Sequence, residues 1–544
     1  MNFRPFGGIR IFRPRTESEI AFRIEAEQNL RSKYAVGTYT DKDTINEILK
    51  HQFAFYSKIL AETLPSIASL HFVEFLLFQY GESSKVEFTV YRRGKLNAHD
   101  RADWVAIGPT FRRAVKYLIE LAVQLAPEEQ SAASEDYLLS LSDRAWICAE
   151  ELIELYILSD QTFLIFPDDT TLTIYPEGGQ TYWSLELDKY KRCSTLFHQR
   201  VRDDTINRGR FLLAVQFDTD IDVHEAVLAS AFKDTVGLTY REALQVIQTL
   251  MVETIPSGEG FPIPFVHREI AIVQLSKLFG FSEEAIGRAL DGFSLSKENM
   301  ETEGREVWKP KQEYRAFRRG FFVLPHPMGR HLMWSKEMAG ECLIHLEGGV
   351  AFRHLPPEWR SSQTDLALEA LSLKAGKWFE NVVMDNLAKV GIVGENSLKD
   401  GIGRGGKRIT IPSNVGELDL LGYSPGEQLL VLVECKLVQS AIEARYFRDE
   451  INEFVNSRRA YAKKFRKKID WVLANTPSIC EALASIKDYD TQIAPLRVAI
   501  AMITLYPTIA SCFIEDFPCV SLTELMMEYE KVGKWPYEMG LHSR

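Results

Sequence analysis

The sequence predicts an α/β domain over its C-terminal third, a central mixed sheet flanked by helices, behind an N-terminal α+β region and a mainly helical one. Three observations predict it. Residues 416–436, "GELDLLGYSPGEQLLVLVECK", read as two apolar strands about a Pro-Gly turn. A strong helical pattern over 365–391 precedes them. Two further strand patterns and a terminal helix follow in "LRVAIAMITLYP" (496–507) and "SCFIEDFPCVSLTELMMEYE" (511–530).

At 544 residues the chain is too long for one hydrophobic core, and three regions are expected, at 1–205, 206–365 and 366–544. The formal net charge of −11 excludes a global basic field, so any nucleic-acid contact must come from a local basic patch. The seven cysteines form no CxxC pair, which argues for a reduced, cytoplasmic protein and against a structural zinc site. The N-terminus has no apolar signal core, and no run reaches the length of a membrane span; the greasiest stretch, "LHFVEFLLFQYG", contains Glu74 and reads as a buried element.

Along the N-terminal region, 134–160 has helical spacing with Ser134 as its N-cap, and 161–187 alternates between turn residues as a β-meander does. From about 224 to 293 the pattern is mostly helical. Residues 272–293 have the outline of a helix-turn-helix, with Gly280 at the turn and Ser282 as a cap. The second helix opens with Glu283 and Glu284, which phosphates would repel, so a plain helical hairpin is the better reading. Residues 348–365, with Pro356-Pro357 and a polar tail, read as a linker.

In the C-terminal region the acids stand out. On the 365–391 helix, Leu373, Gly376, Val383 and Leu387 all lie within about 60° of Glu380 at 100° per residue, so Glu380 is expected on the apolar stripe, with Gly376 clearing space beside it. Alternation puts Glu417 and Asp419 on one face of the first strand, and Glu434 and Lys436 on one face of the second. With Ser424–Glu427 as the connection, Asp419 pairs with Leu432 and Glu434 is its diagonal neighbour. Clustered carboxylates repel unless a positive charge lies between them, and a hard divalent cation, Mg²⁺ or Mn²⁺, suits oxygen donors. The neighbouring lysine can orient or deprotonate a water, or neutralise charge on a phosphate.

A helix with Glu, a strand with Asp, then "ECK" closing the next strand resembles the PD-(D/E)xK superfamily of restriction-endonuclease-like nucleases, and "GELDLL…LVLVECK" is similar to a pattern in several members. The resemblance covers roughly 366–530. It implies Asp419, Glu434 and the main-chain carbonyl of Cys435 as metal ligands, Lys436 as the catalytic lysine and Glu380 as a supporting acid. Leu418 stands where many members have Pro.

Residues 446–472 read as one helix with Ile451, Phe454, Val455, Ala462, Phe465 and Ile469 inward. Arg458, Arg459, Lys463, Lys464, Lys467 and Lys468 fall on its other side, as a solvated face or a surface for nucleic-acid phosphates. The function expected is a cytoplasmic, metal-dependent DNA endonuclease, in prokaryotic defence or restriction. A repair or recombination nuclease and a non-catalytic nucleic-acid-binding sensor subunit remain open beside it. The N-terminal region is expected to recognise or regulate, through a second copy of the chain or a partner protein.

Overall fold

The structure is a computed structural model, and it describes residues 2–125, 135–160, 170–178, 181–212, 220–253, 261–300, 312–439, 444–487 and 497–537. Two compact units take the place of the three expected regions. One comprises residues 1–162, 170–186 and 221–368; the other, 163–169, 187–220 and 369–544. Among the described residues, no single helix is long and apolar enough to cross a membrane.

Among the described residues, the first unit is helices with three small sheets. Helices Lys42–Ile67, Leu70–Lys85, Ala98–Leu125 and Glu135–Asp160 pack about an aromatic core that includes Trp104 and Trp146. The apolar "LHFVEFLLFQYG" stretch lies in the second of these helices. Of the expected meander, Thr171–Ile174 pairs antiparallel with Trp183–Glu186; residues 161–169 and 179–180, like the cap Ser134, lie outside the described residues. Helices Arg268–Phe279 and Glu283–Asp291 flank Gly280, whose φ of 74° suits a residue without Cβ, and Ser282 caps the second by accepting from the Ala285 N–H at 3.2 Å.

The expected linker at 348–365 is packed structure instead. Trp359 is fully buried against Phe232, and its indole N–H donates to the Arg288 carbonyl at 3.0 Å. A Pro-Pro pair ends a helix but does not dictate exposure, and the large apolar ring two residues on decides where the segment lies.

The second unit is an α/β fold on a five-stranded mixed sheet. Its strands are β1 (Val393–Leu398), β2 (Leu418–Ser424), β3 (Leu429–Lys436), β4 (Arg497–Thr504) and β5 (Cys519–Ser521), side by side in chain order. The first three run antiparallel, and β4 and β5 are parallel to β3. Strands β2 and β3 sit in the middle and are buried on both faces, as their continuous apolar runs require.

Helices surround the sheet: α1 (Asp188–Asn207), α2 (Ser362–Lys389), α3 (Ala444–Ile451), α4 (Tyr461–Ala474), α5 (Thr476–Lys487) and α6 (Leu522–Val532). Helix α1 comes from far upstream. It is tied in by Arg200, which donates to Glu524, Ser511 and, at 3.1 Å, the Cys519 carbonyl, and by Asp204, which accepts from Ser521 at 3.3 Å.

The single helix expected over 446–472 is two. After α3 the chain makes a π-turn at Asn452–Asn456, and Ser457 is extended, so Arg458 and Arg459 stand in the break, exposed. The Lys463 ammonium closes the break by donating to the carbonyls of Asn456 and Ser457, at 3.2 and 3.1 Å.

Candidate active site

The β2–β3 register pairs Ser424 with Leu429 and Leu420 with Val433, two residues from the expected register. The turn is Pro425–Gln428, closed by the Gln428 N–H to the Pro425 carbonyl at 3.3 Å, with Gln428 in left-handed backbone at φ 49°. Continued one step, this register sets Asp419 directly opposite Glu434 instead of diagonal to it. A shift of two leaves every side chain on its expected face.

Asp419 and Glu434 are both buried, at 8% and 3% exposure. Asp419 Oδ2 accepts from the Cys435 N–H at 2.9 Å, which fixes its carboxylate against β3. Lys436 bridges the two acids, its Nζ 2.7 Å from Glu434 Oε1 and 3.2 Å from Asp419 Oδ2. The same ammonium donates to the Cys435 carbonyl at 3.0 Å and lies 5.3 Å from the centre of the Tyr461 ring. Burial works against the Lys436 ammonium, but the Glu434 and Asp419 charges outweigh it and hold its pKa above the ordinary lysine value. The Cys435 thiol is pushed up by burial, then by Asp419, and the side chain packs in the core.

Lys468 is the residue that sequence reasoning placed elsewhere. It was expected among the surface cations, yet it is buried, and its ammonium reaches Glu434 Oε2 and, at 3.3 Å, Asp419 Oδ1. A signal existed. The buried positions of α4 are Ala462, Phe465, Lys468 and Val472, spaced three, three and four, so Lys468 lies on the inward stripe. Lys463, Lys464 and Lys467 do face solvent, as expected.

Glu380 is only partly buried, and Leu373, expected beside it on the stripe, is 68% exposed. The inward stripe of α2 runs instead through Leu371, Ala375, Phe379, Val382, Val383 and Leu387, which puts Glu380 at its margin. A Cβ on Gly376 would meet nothing within 4 Å, so that glycine clears no space. Glu380 Oε2 accepts from the Ser397 hydroxyl at 2.5 Å and from Lys377 Nζ at 3.5 Å. Burial raises its pKa, the Ser397 hydrogen bond opposes that, and the Asp419 charge adds to it. Ser397 sits on β1 between the pairs Asn396–Leu420 and Leu398–Leu418, across from Asp419. Glu417 is at the sheet end, 3.7 Å from Lys399.

Asp419, Glu434 and the Cys435 carbonyl are all oxygen donors, with Glu380 near enough for Asp419 to raise its pKa. By donor type this set suits a hard divalent cation. Among the described residues, no group of three or more His, Cys, Asp or Glu side chains is drawn together to hold a metal ion; here the two lysine ammonium groups lie between the acids. Compared with family models, curated proteins and solved structures, the chain matches none.

Proposed function

We propose that the second unit is a metal-dependent nuclease of the restriction-endonuclease-like, PD-(D/E)xK kind, which hydrolyses phosphodiester bonds within DNA. One observation carries the reading: Asp419, Glu434 and Lys436 share one face of two central strands, with the lysine ammonium 2.7 and 3.2 Å from the acids. Asp419, Glu434 and the Cys435 carbonyl would hold Mg²⁺ or Mn²⁺, which supplies Lewis-acid polarisation of a phosphate oxygen and a more acidic water. Lys436, with its ammonium against both acids, would orient or deprotonate the attacking water, or neutralise charge on the phosphate. Glu380 and Ser397 hold the flank of the site nearest β1. The exposed Arg458, Arg459, Lys463, Lys464 and Lys467 give the phosphate backbone a local basic surface on an acidic chain. The first unit recognises or regulates, in a role in prokaryotic defence or restriction.

The test is a cleavage panel on the full-length protein, with plasmid and with single- and double-stranded DNA and RNA oligonucleotides, in Mg²⁺, Mn²⁺ or EDTA. Cleavage of DNA that EDTA abolishes and Lys436→Ala removes is the expected result. Cleavage that survives excess EDTA would contradict the mechanism. A second reading, a non-catalytic nucleic-acid-binding subunit, is favoured by the even balance of two acids and two lysines, which needs no metal to be stable. It predicts binding without cleavage in every metal.

A further inference from the structure

Resting on the nuclease reading, we infer that Lys468 is a tethered counter-ion that occupies the metal position, so that the enzyme takes up its divalent cation by exchange against this ammonium. The geometry is reciprocal. Lys436 touches Asp419 Oδ2 and Glu434 Oε1, while Lys468 touches Asp419 Oδ1 and Glu434 Oε2, so each of the four carboxylate oxygens already faces a cation. A metal ion needs those oxygens and tolerates no ammonium in the same space.

The two lysines are not equally placed to leave. Lys436 is held further by the Cys435 carbonyl and the Tyr461 ring. Lys468 has Asp419 and Glu434 as its hydrogen-bonding partners. It stands on helix α4, not on the sheet, so its side chain can withdraw without disturbing the β2–β3 register.

The charges then change in a defined way. Two carboxylates and two ammonium groups sum to zero. Exchanging the Lys468 ammonium for a divalent cation leaves one positive charge in excess between the acids and Lys436, which the negative charge of an incoming phosphodiester offsets. Loading is therefore weak alone and strengthened by nucleic acid, and by linkage each ligand tightens the other.

The experiment is calorimetric titration of Mn²⁺ into full-length wild type, Lys468→Met, Lys468→Gln, Lys468→Arg and Lys531→Met, each first shown to be folded by circular dichroism and thermal melting. Removing the competing cation should tighten Mn²⁺ binding about tenfold or more in the Met and Gln variants. Lys468→Arg should bind no more tightly than wild type, and Lys531→Met, on α6, should stay within about twofold of it, which isolates position from net charge. If Lys468→Met does not fold, Lys468→Gln carries the test, because it keeps a neutral donor of similar reach. Wild-type or weaker affinity in the neutral variants would overturn the exchange while leaving the nuclease reading intact. Absence of Mn²⁺ binding in every chain would remove the metal-dependent reading, and the exchange with it.

Discussion

Ser397 holds Glu380 from a left-handed backbone, donating its hydroxyl at 2.5 Å with φ at 52°. A serine there carries strain of about 1 kcal/mol or more, and it persists because the strand pairs on either side fix it. The two contributions separate by substitution. Ser397→Gly relieves the strain and loses the hydroxyl, whereas Ser397→Ala keeps the strain and loses the hydroxyl. The glycine variant should be the more stable of the two by about 1 kcal/mol in urea denaturation. Equal stability would show that this backbone is not held left-handed in solution.

Asp419, Glu434 and Lys436 should behave as one catalytic unit. Asp419→Asn, Glu434→Gln and Lys436→Ala should each lower the single-turnover cleavage rate by about 100-fold or more, and double variants should lose little beyond that. Glu380→Gln should fall between these and wild type, since its carboxylate is tied to Ser397 and Lys377 at the edge of the cluster. A folded single variant with near-wild-type cleavage would remove that residue from the assignment.

Glu450, on α3, gives the second unit a pH dependence opposite to that of most paired carboxylates. Burial pushes its carboxyl from 4.5 to about 8, against hydrogen bonds from the main chain of Ala510 and Ile509. The folded state thus prefers the proton. Its contribution to stability is complete below about pH 4.5 and is lost as pH rises towards 8. Glu450→Gln should flatten this slope, so that above pH 8 the variant resists urea better than wild type. A wild-type curve that rises over pH 5–8 as steeply as the variant's would refute it.

The exposed cations of α4 and the break before it should set how salt acts on nucleic-acid binding. Charge reversal of Lys463, Lys464 and Lys467 should weaken binding to all sequences. It should also lower the slope of log affinity against log salt by about 1 for each phosphate that is no longer neutralised. Lys468 belongs to a different experiment, because its charge is spent on Glu434 and Asp419. An unchanged slope after triple reversal would place the nucleic acid on another face.

The carboxylates were legible because a strand has a period of two. Asp419, Glu434 and Lys436 kept their faces although the hairpin register differed by two residues, since only an odd slip would have turned them away. Helices were less forgiving. On α2 an apolar count put Leu373 inward, where it is exposed, because several apolar residues around one helix leave more than one stripe to choose from. On α4 the habit of reading lysine as a surface residue hid a position that spacing alone assigns inward. The π-turn at Asn452–Asn456 adds a residue to a turn, which no periodicity of 3.6 anticipates. The membership of α1 in the second unit depends on Arg200 meeting Glu524 and Ser511, partners more than 300 residues on that leave no local mark.

That last pairing has a consequence for how the chain is made. Helix α1 leaves the ribosome with its partners not yet synthesised. The stretch from Asn207 to Glu524 takes roughly 15 to 60 s to translate at ordinary rates. Through that interval the guanidinium of Arg200 and the apolar side of α1 must stay soluble without the sheet they belong to, while residues 221–368 complete a separate core. The five-stranded sheet is complete only after its last strand, β5, and α6 have emerged. A fragment that starts after α1 lacks the helix whose Arg200 ties α6 to the end of that sheet.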